Sequence, residues 1–271
     1  MIDCHNHLSD TEFDKDREEV IKRAVEANVT CCLVNTECHE EFQKTLDLHA
    51  QHPKFIMPCI GVHPVQYDIT EQGPVPRSAC EKDLDGMEQF IEANHEQIIA
   101  IGETGLDFTP RYLQKDGDKD EQRKLFSRQI QLGQKYSLPV ICHSRSCGRP
   151  VIDLLIDHNA QNVLLHAFDG NVKSAKPGVA AGYYFSIPPS AVRSDQKRSL
   201  IKVVPLEQLL LETDSPVLGP DKNERNEPAN LLISARVISE IKNIPIEHVI
   251  QTTTDNAYRL FPKLLKFVPR L

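Results

Sequence analysis

Ile98-Ile99-Ala100-Ile101-Gly102-Glu103 runs without a polar break into a carboxylate. An apolar run of this length reads as a buried strand. What decides the fold is that the same construction recurs along the chain. Ile2 precedes Asp3-Cys4-His5-Asn6-His7, and Pro139-Val140-Ile141-Cys142 precedes His143. Val163-Leu164-Leu165 precedes His166, and Leu209-Leu210-Leu211-Glu212-Thr213 precedes Asp214. Imidazoles and carboxylates at the tips of several parallel strands would converge on one point, and such convergence builds a metal site. The residues themselves therefore suggest hydrolysis by bound divalent metal.

Outward from these runs, strand-like and helix-like segments alternate. Strands are expected at about 2–4, 30–35, 55–61, 98–102, 139–142, 162–165, 182–187 and 207–212. Helices are expected at about 12–27, 37–51, 81–94, 119–136, 150–159, 173–180, 195–203, 227–242 and 246–261. The stretch after His63, with Pro64, Gly73, Pro74 and Pro76, reads as a loop to Ser78. Eight strand–helix units of about 34 residues each suit a (β/α)8 TIM barrel, an α/β fold that needs about 250 residues. A doubly wound open sheet is the alternative. The barrel is favoured because the candidate ligands follow strands one, four, five, six and eight. In a closed barrel those tips ring one mouth; in an open sheet they lie too far apart to share a metal. No repeat or linker is visible, so residues 1–271 are expected to form one domain.

The composition narrows the function. Hydrophobic residues make up 40% of the chain, enough for a core. A net charge of −8 argues against a protein that coats nucleic acid through its phosphates. There is no Trp and aromatic content is 6%, so no base-stacking platform is advertised. None of the eight Cys forms a Cys-x-x-Cys pair, which argues against a structural zinc knuckle. Cys31, Cys32, Cys59 and Cys142 fall in expected strands, where free Cys packs as a small hydrophobe. No basic-then-apolar leader is visible, and no apolar run is long enough to span a membrane. The expectation is an intracellular protein of cytoplasm or nucleus, with reduced thiols, no membrane contact and no obligate protein partner.

Residue types and spacing then define the candidate site. His5 and His7 are two apart, so on a strand both rings face one cation. Glu103, between Gly102 and Gly105, is expected on a tight glycine-flanked turn, and its two oxygens can bridge two metals. His143 and His166 would pair on neighbouring strands. Asp214 could cap a helix, but Pro216 and a long loop follow it, which favours the ligand reading. His63, in Gly61-Val62-His63-Pro64, ends strand three and is read as a substrate or leaving-group contact. Arg145, Arg193 and Arg225 lie in loops after strands and could hold phosphate oxygens; an ordinary salt bridge is the alternative for each. His39, His49, His52, His95, His158 and His248 are read as surface residues.

Seven segments in order carry a resemblance: DCHNHL from residue 3, then GVHP, GETGLDF, HSRS, HAFDG, ETDSP and RNEPAN ending at 230. Together they resemble the TatD family of metal-dependent deoxyribonucleases, which belongs to the amidohydrolase-like barrels. HSRS departs from the commoner family pattern, in which an acidic residue follows the Arg; this bears on Arg145 and not on His143. The resemblance implies that His5, His7 and Asp214 hold one divalent cation, His143 and His166 a second, and that Glu103 bridges them. Zinc, manganese or cobalt would suit so many imidazoles better than magnesium. The implied reaction is hydrolysis of DNA phosphodiesters, as a 3′–5′ exonuclease, by a hydroxide shared between two metals. Asp214 would orient that nucleophile, Glu103 would hold the pair of cations, and His63 or an Arg would hold the non-bridging oxygens. Two cations against two carboxylates leave the pocket positive, so DNA would be held by weak, local contacts and with a shallow salt dependence. The alternatives are a metal-dependent ester or amide hydrolase, such as a D-aminoacyl-tRNA deacylase, and a non-enzymatic binding module.

Overall fold

Every residue of Ile2–Asn6 (β1), Cys31–Asn35 (β2) and Ile56–Ile60 (β3) is buried. Strands buried on both faces need a helical layer outside them, and the computed structural model, which describes residues 1–270, provides one. Val65–Thr70 (β4) and Gly73–Ser78 (β5) form a separate hairpin. Ala100–Asp107 (β6), Val140–Arg145 (β7), Val163–Leu165 (β8), Tyr184–Ile187 (β9) and Leu209–Leu211 (β10) complete the strands. The main sheet runs β1-β2-β3-β6-β7-β8-β9-β10, with each bonded neighbour parallel. Its layer of helices is Arg17–Glu26 (α1), Glu40–Gln51 (α2), Met87–Asn94 (α3), Asp118–Tyr136 (α4), Gly148–Asp157 (α5), Val172–Ala180 (α6), Asp195–Val203 (α7), Leu231–Lys242 (α8), Ile246–Leu260 (α9) and Leu264–Phe267 (α10). The expected eight-stranded barrel is thus the observed one. No helix among the described residues is long and apolar enough to cross a membrane.

β1 and β10 meet without a regular ladder. Asp214 N donates to His5 O at 2.9 Å and His7 N to Ser215 O at 2.8 Å. Thr213 N donates to Asp3 Oδ1 at 2.9 Å, and Thr213 Oγ1 lies 2.6 Å from Asp3 Oδ2. Burial pushes the Asp3 carboxyl up to about 8, against the Thr213 hydrogen bonds that favour its charge. Burial thus favours the protonated form of this seam carboxyl.

The strands also aim the site. Ile141 and Leu164 belong to one buried cluster with Leu33, Met57 and Leu210. Two positions further on, and so on the same face, stand His143 and His166.

Three expectations need correction. Glu103 is not on a turn: β6 continues through it to Asp107. The flanking glycines are needed because neighbouring strands crowd the backbone. A Cβ at Gly105 would sit 2.2 Å from His143 O, and one at Gly102 would sit 2.5 Å from Asn35 Oδ1. Residues 65–78 are not an irregular loop but the β4–β5 hairpin, paired from Val65↔Ser78 to Thr70↔Gly73. Its prolines hid it, yet a two-stranded ribbon is all edge and tolerates them. His49 is buried rather than on the surface, with Nδ1 2.7 Å from Ile56 O.

Candidate metal centre

Six side chains far apart in the chain meet at the C-terminal rim of the barrel. His5, on β1, and His7, just after it, have their Nε2 atoms 3.2 Å apart. His5 Nε2 lies 3.4 Å from Glu103 Oε2 and 3.4 Å from Asp214 Oδ1. For His7 Nε2 the same two distances are 3.3 and 3.4 Å. Metal–ligand bonds of about 2.0–2.1 Å in tetrahedral geometry place ligand atoms about 3.3–3.4 Å apart. The five distances from the two imidazoles match the spacing between corners of such a site.

The other oxygen of Glu103 faces a second group. Oε1 lies 2.8 Å from His143 Nδ1 and 2.8 Å from His166 Nε2. Those two nitrogens are 3.5 Å apart. His166 also comes within ligand-sharing distance of His5 and Asp214. The two groups therefore form one continuous cluster of nitrogen and oxygen donors, which suits zinc-like cations.

Mutual charge shapes five of these six side chains. Burial pushes Glu103 up, but the neighbouring His166, His63 and His5 and a hydrogen bond from His143 outweigh it and hold the carboxyl well below its usual range. Asp214 is likewise held low, burial being overcome by hydrogen bonds from His5 and His7 and by the charge of His166. Burial lowers His7, yet Asp214 and Glu103 raise it well above an ordinary imidazole. Burial lowers His143 too, while Asp107 and Glu103 lift it above its usual value. His166 is pushed up to about 10, burial being outweighed by Glu103 and Glu212. Two buried carboxylates demand positive charge here, which protons or metal cations can supply.

His63 behaves differently. Burial, then the charge of His143, hold it below an ordinary imidazole. Its Nδ1 lies 3.0 Å from Val65 N and 3.1 Å from Val65 O, so the Val65 backbone engages this nitrogen and Nε2 is the one left to face the cluster. That Nε2 lies 3.7 Å from Glu103 Oε1. With Glu103 and His143, His63 forms a further group whose donor atoms lie close enough to share a cation; with the ring proton on Nε2 it would instead donate to an oxygen.

A cavity of about 740 Å³ opens over the cluster, lined by His63, Tyr67, Tyr112 and Arg145 among others. The three candidate arginines part company here. Arg145 lines the cavity and pairs with Asp107, Nε at 2.8 Å and Nη2 at 2.7 Å. Arg193 donates to the carbonyls of Pro220 and Gly219, each at 3.2 Å. Arg225 binds Glu12 O at 2.7 Å and pairs with Asp16 at 2.5 Å. Neither Arg193 nor Arg225 lines the cavity; Arg225 makes the salt bridge that is the alternative to phosphate binding, whereas Arg193 bonds only backbone carbonyls among the described residues.

Sequence reading missed the groups that aim the ligands. Glu212 Oε2, 3.6 Å from His166 Nδ1, is too far to hydrogen-bond it and accepts from Ser186 Oγ, but Asp107 Oδ2 lies 3.3 Å from His143 Nε2 and Asn35 O lies 3.1 Å from His7 Nδ1. Outer partners of this kind fix imidazole orientation. Asp107 carried a signal: it stands four residues from Glu103 on the same strand, β6.

A parallel barrel that gathers His, Glu and Asp at the C-terminal ends of its strands defines a metal-dependent hydrolase. Comparison with known proteins gives the family: residues 2–262 match TatD related DNase, and the chain belongs to it. It is 50% identical to the human deoxyribonuclease TATDN3 over 97% of this chain and 95% of that one. It is 32% identical to YabD of Bacillus subtilis, described as an uncharacterized metal-dependent hydrolase, over 96% of this chain and 98% of that one. The crystal structure of YJJV, a TatD homologue from Escherichia coli, superposes with a TM-score of 0.83 at 27% identity, covering 97% and 98% of the two chains.

Proposed function

We propose that this protein is a deoxyribonuclease that cuts phosphodiester bonds with two divalent cations, working as a 3′–5′ exonuclease. One observation carries the reading: the two oxygens of Glu103 face two different sets of nitrogen and oxygen donors. His5, His7 and Asp214 would hold one cation beside Oε2, and His143 and His166 the other beside Oε1. Bound there, divalent cations supply Lewis acidity that activates water and offsets charge on phosphate oxygens. Asp214, at the rim and only 6% exposed, orients the attacking water by accepting its hydrogen bond. His63 donates its Nε2 proton in a hydrogen bond to a non-bridging phosphate oxygen. Arg145 keeps an N–H edge free of Asp107 for the same phosphate. The relative named a deoxyribonuclease supports DNA as substrate. Free cysteines throughout support an intracellular setting, cytoplasmic or nuclear.

The test uses metal-loaded protein and single-stranded DNA labelled at either end. A 3′ label should be released first, as a mononucleotide. Glu103→Gln and His143→Ala should each lower turnover at least about a hundredfold, with circular dichroism unchanged. Full activity in both variants would show that the centre lies elsewhere.

A further inference from the structure

Among the described residues, two basic side chains line the cavity over the cluster: Arg145 and Lys197. Arg145 is already paired with Asp107. Lys197 forms no ion pair among the described residues; its Nζ donates to one backbone oxygen, Ala167 O, at 2.9 Å. An ammonium has three N–H bonds, so two remain for something else. The position is unfavourable for an idle cation. Burial lowers its proton affinity, opposed by the more distant charges of Glu212, Asp169 and Asp214. It also stands in the first turn of α7, where the helix dipole disfavours positive charge.

The local structure holds this lysine still. Ser194 Oγ accepts from Lys197 N at 3.3 Å. Gln196 Nε2 donates to Phe168 O at 3.2 Å and so ties the start of α7 to the loop after His166. Asp10, Glu12 and Glu37 line the cavity from the β1–β2 side. On the arc between β7 and α7 an anionic substrate meets Arg145 and Lys197, with the Asp169 carboxylate between them accepting from Ser146 N at 2.9 Å.

We propose that Lys197 is a substrate-binding residue that holds a non-bridging oxygen of the phosphate being cut. The proposal rests on the phosphodiesterase reading of the same cavity and adds to it a cation outside the metal-ligand set. Lys197 would approach the phosphate from the α7 side, while His63 and Arg145 approach from β3 and β7. The substrate anion then supplies the counter-charge that the protein withholds.

The test compares wild type, Lys197→Met and Lys197→Arg, each saturated with metal and checked for bound metal. Calorimetry measures the binding of inorganic phosphate, and steady-state kinetics use bis(4-nitrophenyl) phosphate. Lys197→Met should weaken phosphate binding and raise KM by about 10-fold or more, as loss of a charge-assisted hydrogen bond predicts, with kcat changed less. Its KM should also depend less steeply on salt. Lys197→Arg should recover most of the phosphate affinity. If Lys197→Met binds phosphate as wild type does, or loses affinity only in proportion to lost metal, the lysine merely clamps the Ala167 loop and the proposal fails. If wild type cuts no phosphodiester yet binds phosphate in a Lys197-dependent way, the nuclease reading fails and the anion site stands.

Discussion

His166 lies flat against His5, with ring centroids 3.7 Å apart and planes 15° from parallel. His5 belongs to the donors around Glu103 Oε2 and His166 to those around Oε1. Each imidazole walls the other's site, so the two halves of the cluster cannot relax separately. His166→Ala should therefore remove one cation and weaken the other by about tenfold, the size typical of losing a supporting contact. Metal titration followed by elemental analysis checks this. Unaltered affinity at the remaining site would show that the stack transmits nothing.

Asp107 sits behind His143 and is shared with Arg145. Asp107→Asn keeps the shape but weakens the acceptor that orients the ring. Metal affinity and turnover should both drop by about 10–100-fold. The measurement is activity against metal concentration; a curve superimposable on wild type would contradict the orienting role.

Metal uptake should release protons. In the metal-free protein His166 is pushed up to about 10, and His7 and His143 are raised as well. Below those values the imidazoles hold protons that a cation must displace, so apparent metal affinity should rise as pH rises. Calorimetry at neutral pH in buffers of different ionisation enthalpy should give net proton release. Affinity that stays flat with pH would be inconsistent with protonated imidazoles in the cluster.

Asp3 gives a pH signature for the barrel itself. Its carboxyl is raised from 3.8 to about 8 in the fold. Between those values the folded chain holds a proton that the unfolded chain has released. Stability must therefore fall as pH rises through this window and level off above it. Asp3→Asn has no such proton and can still bridge to Thr213. The difference in unfolding temperature, variant minus wild type, should grow from acid to mildly alkaline pH. Parallel profiles would mean that Asp3 is charged in the fold.

Convergence of His5, His7, Glu103, His143, His166 and Asp214 was legible because each follows an apolar run, and a barrel brings strand ends to one rim. Strand extent was less legible. β6 does not stop at the last apolar residue; it carries Glu103 and Asp107 in a fully buried stretch, and polarity in the sequence masked that continuation. The partners of Arg193 and Arg225 were invisible for another reason. Asp16 and Glu12 lie about 210 residues from Arg225 along the chain, and no local pattern records such a meeting. Lys197 reads as one more charge on an amphipathic helix. The loop after β8, folded against it through Ala167, leaves it half-buried at the cavity wall.

The meeting of β1 with β10 has a further consequence. Where other neighbours in the sheet are zipped by a ladder, this joint is fastened by the backbones of His5, His7, Asp214 and Ser215. The reactive groups are thus also the buckle of the belt. Chelators should loosen the enclosure from this one point, and a chain that seats its cations should latch its circumference in the same step.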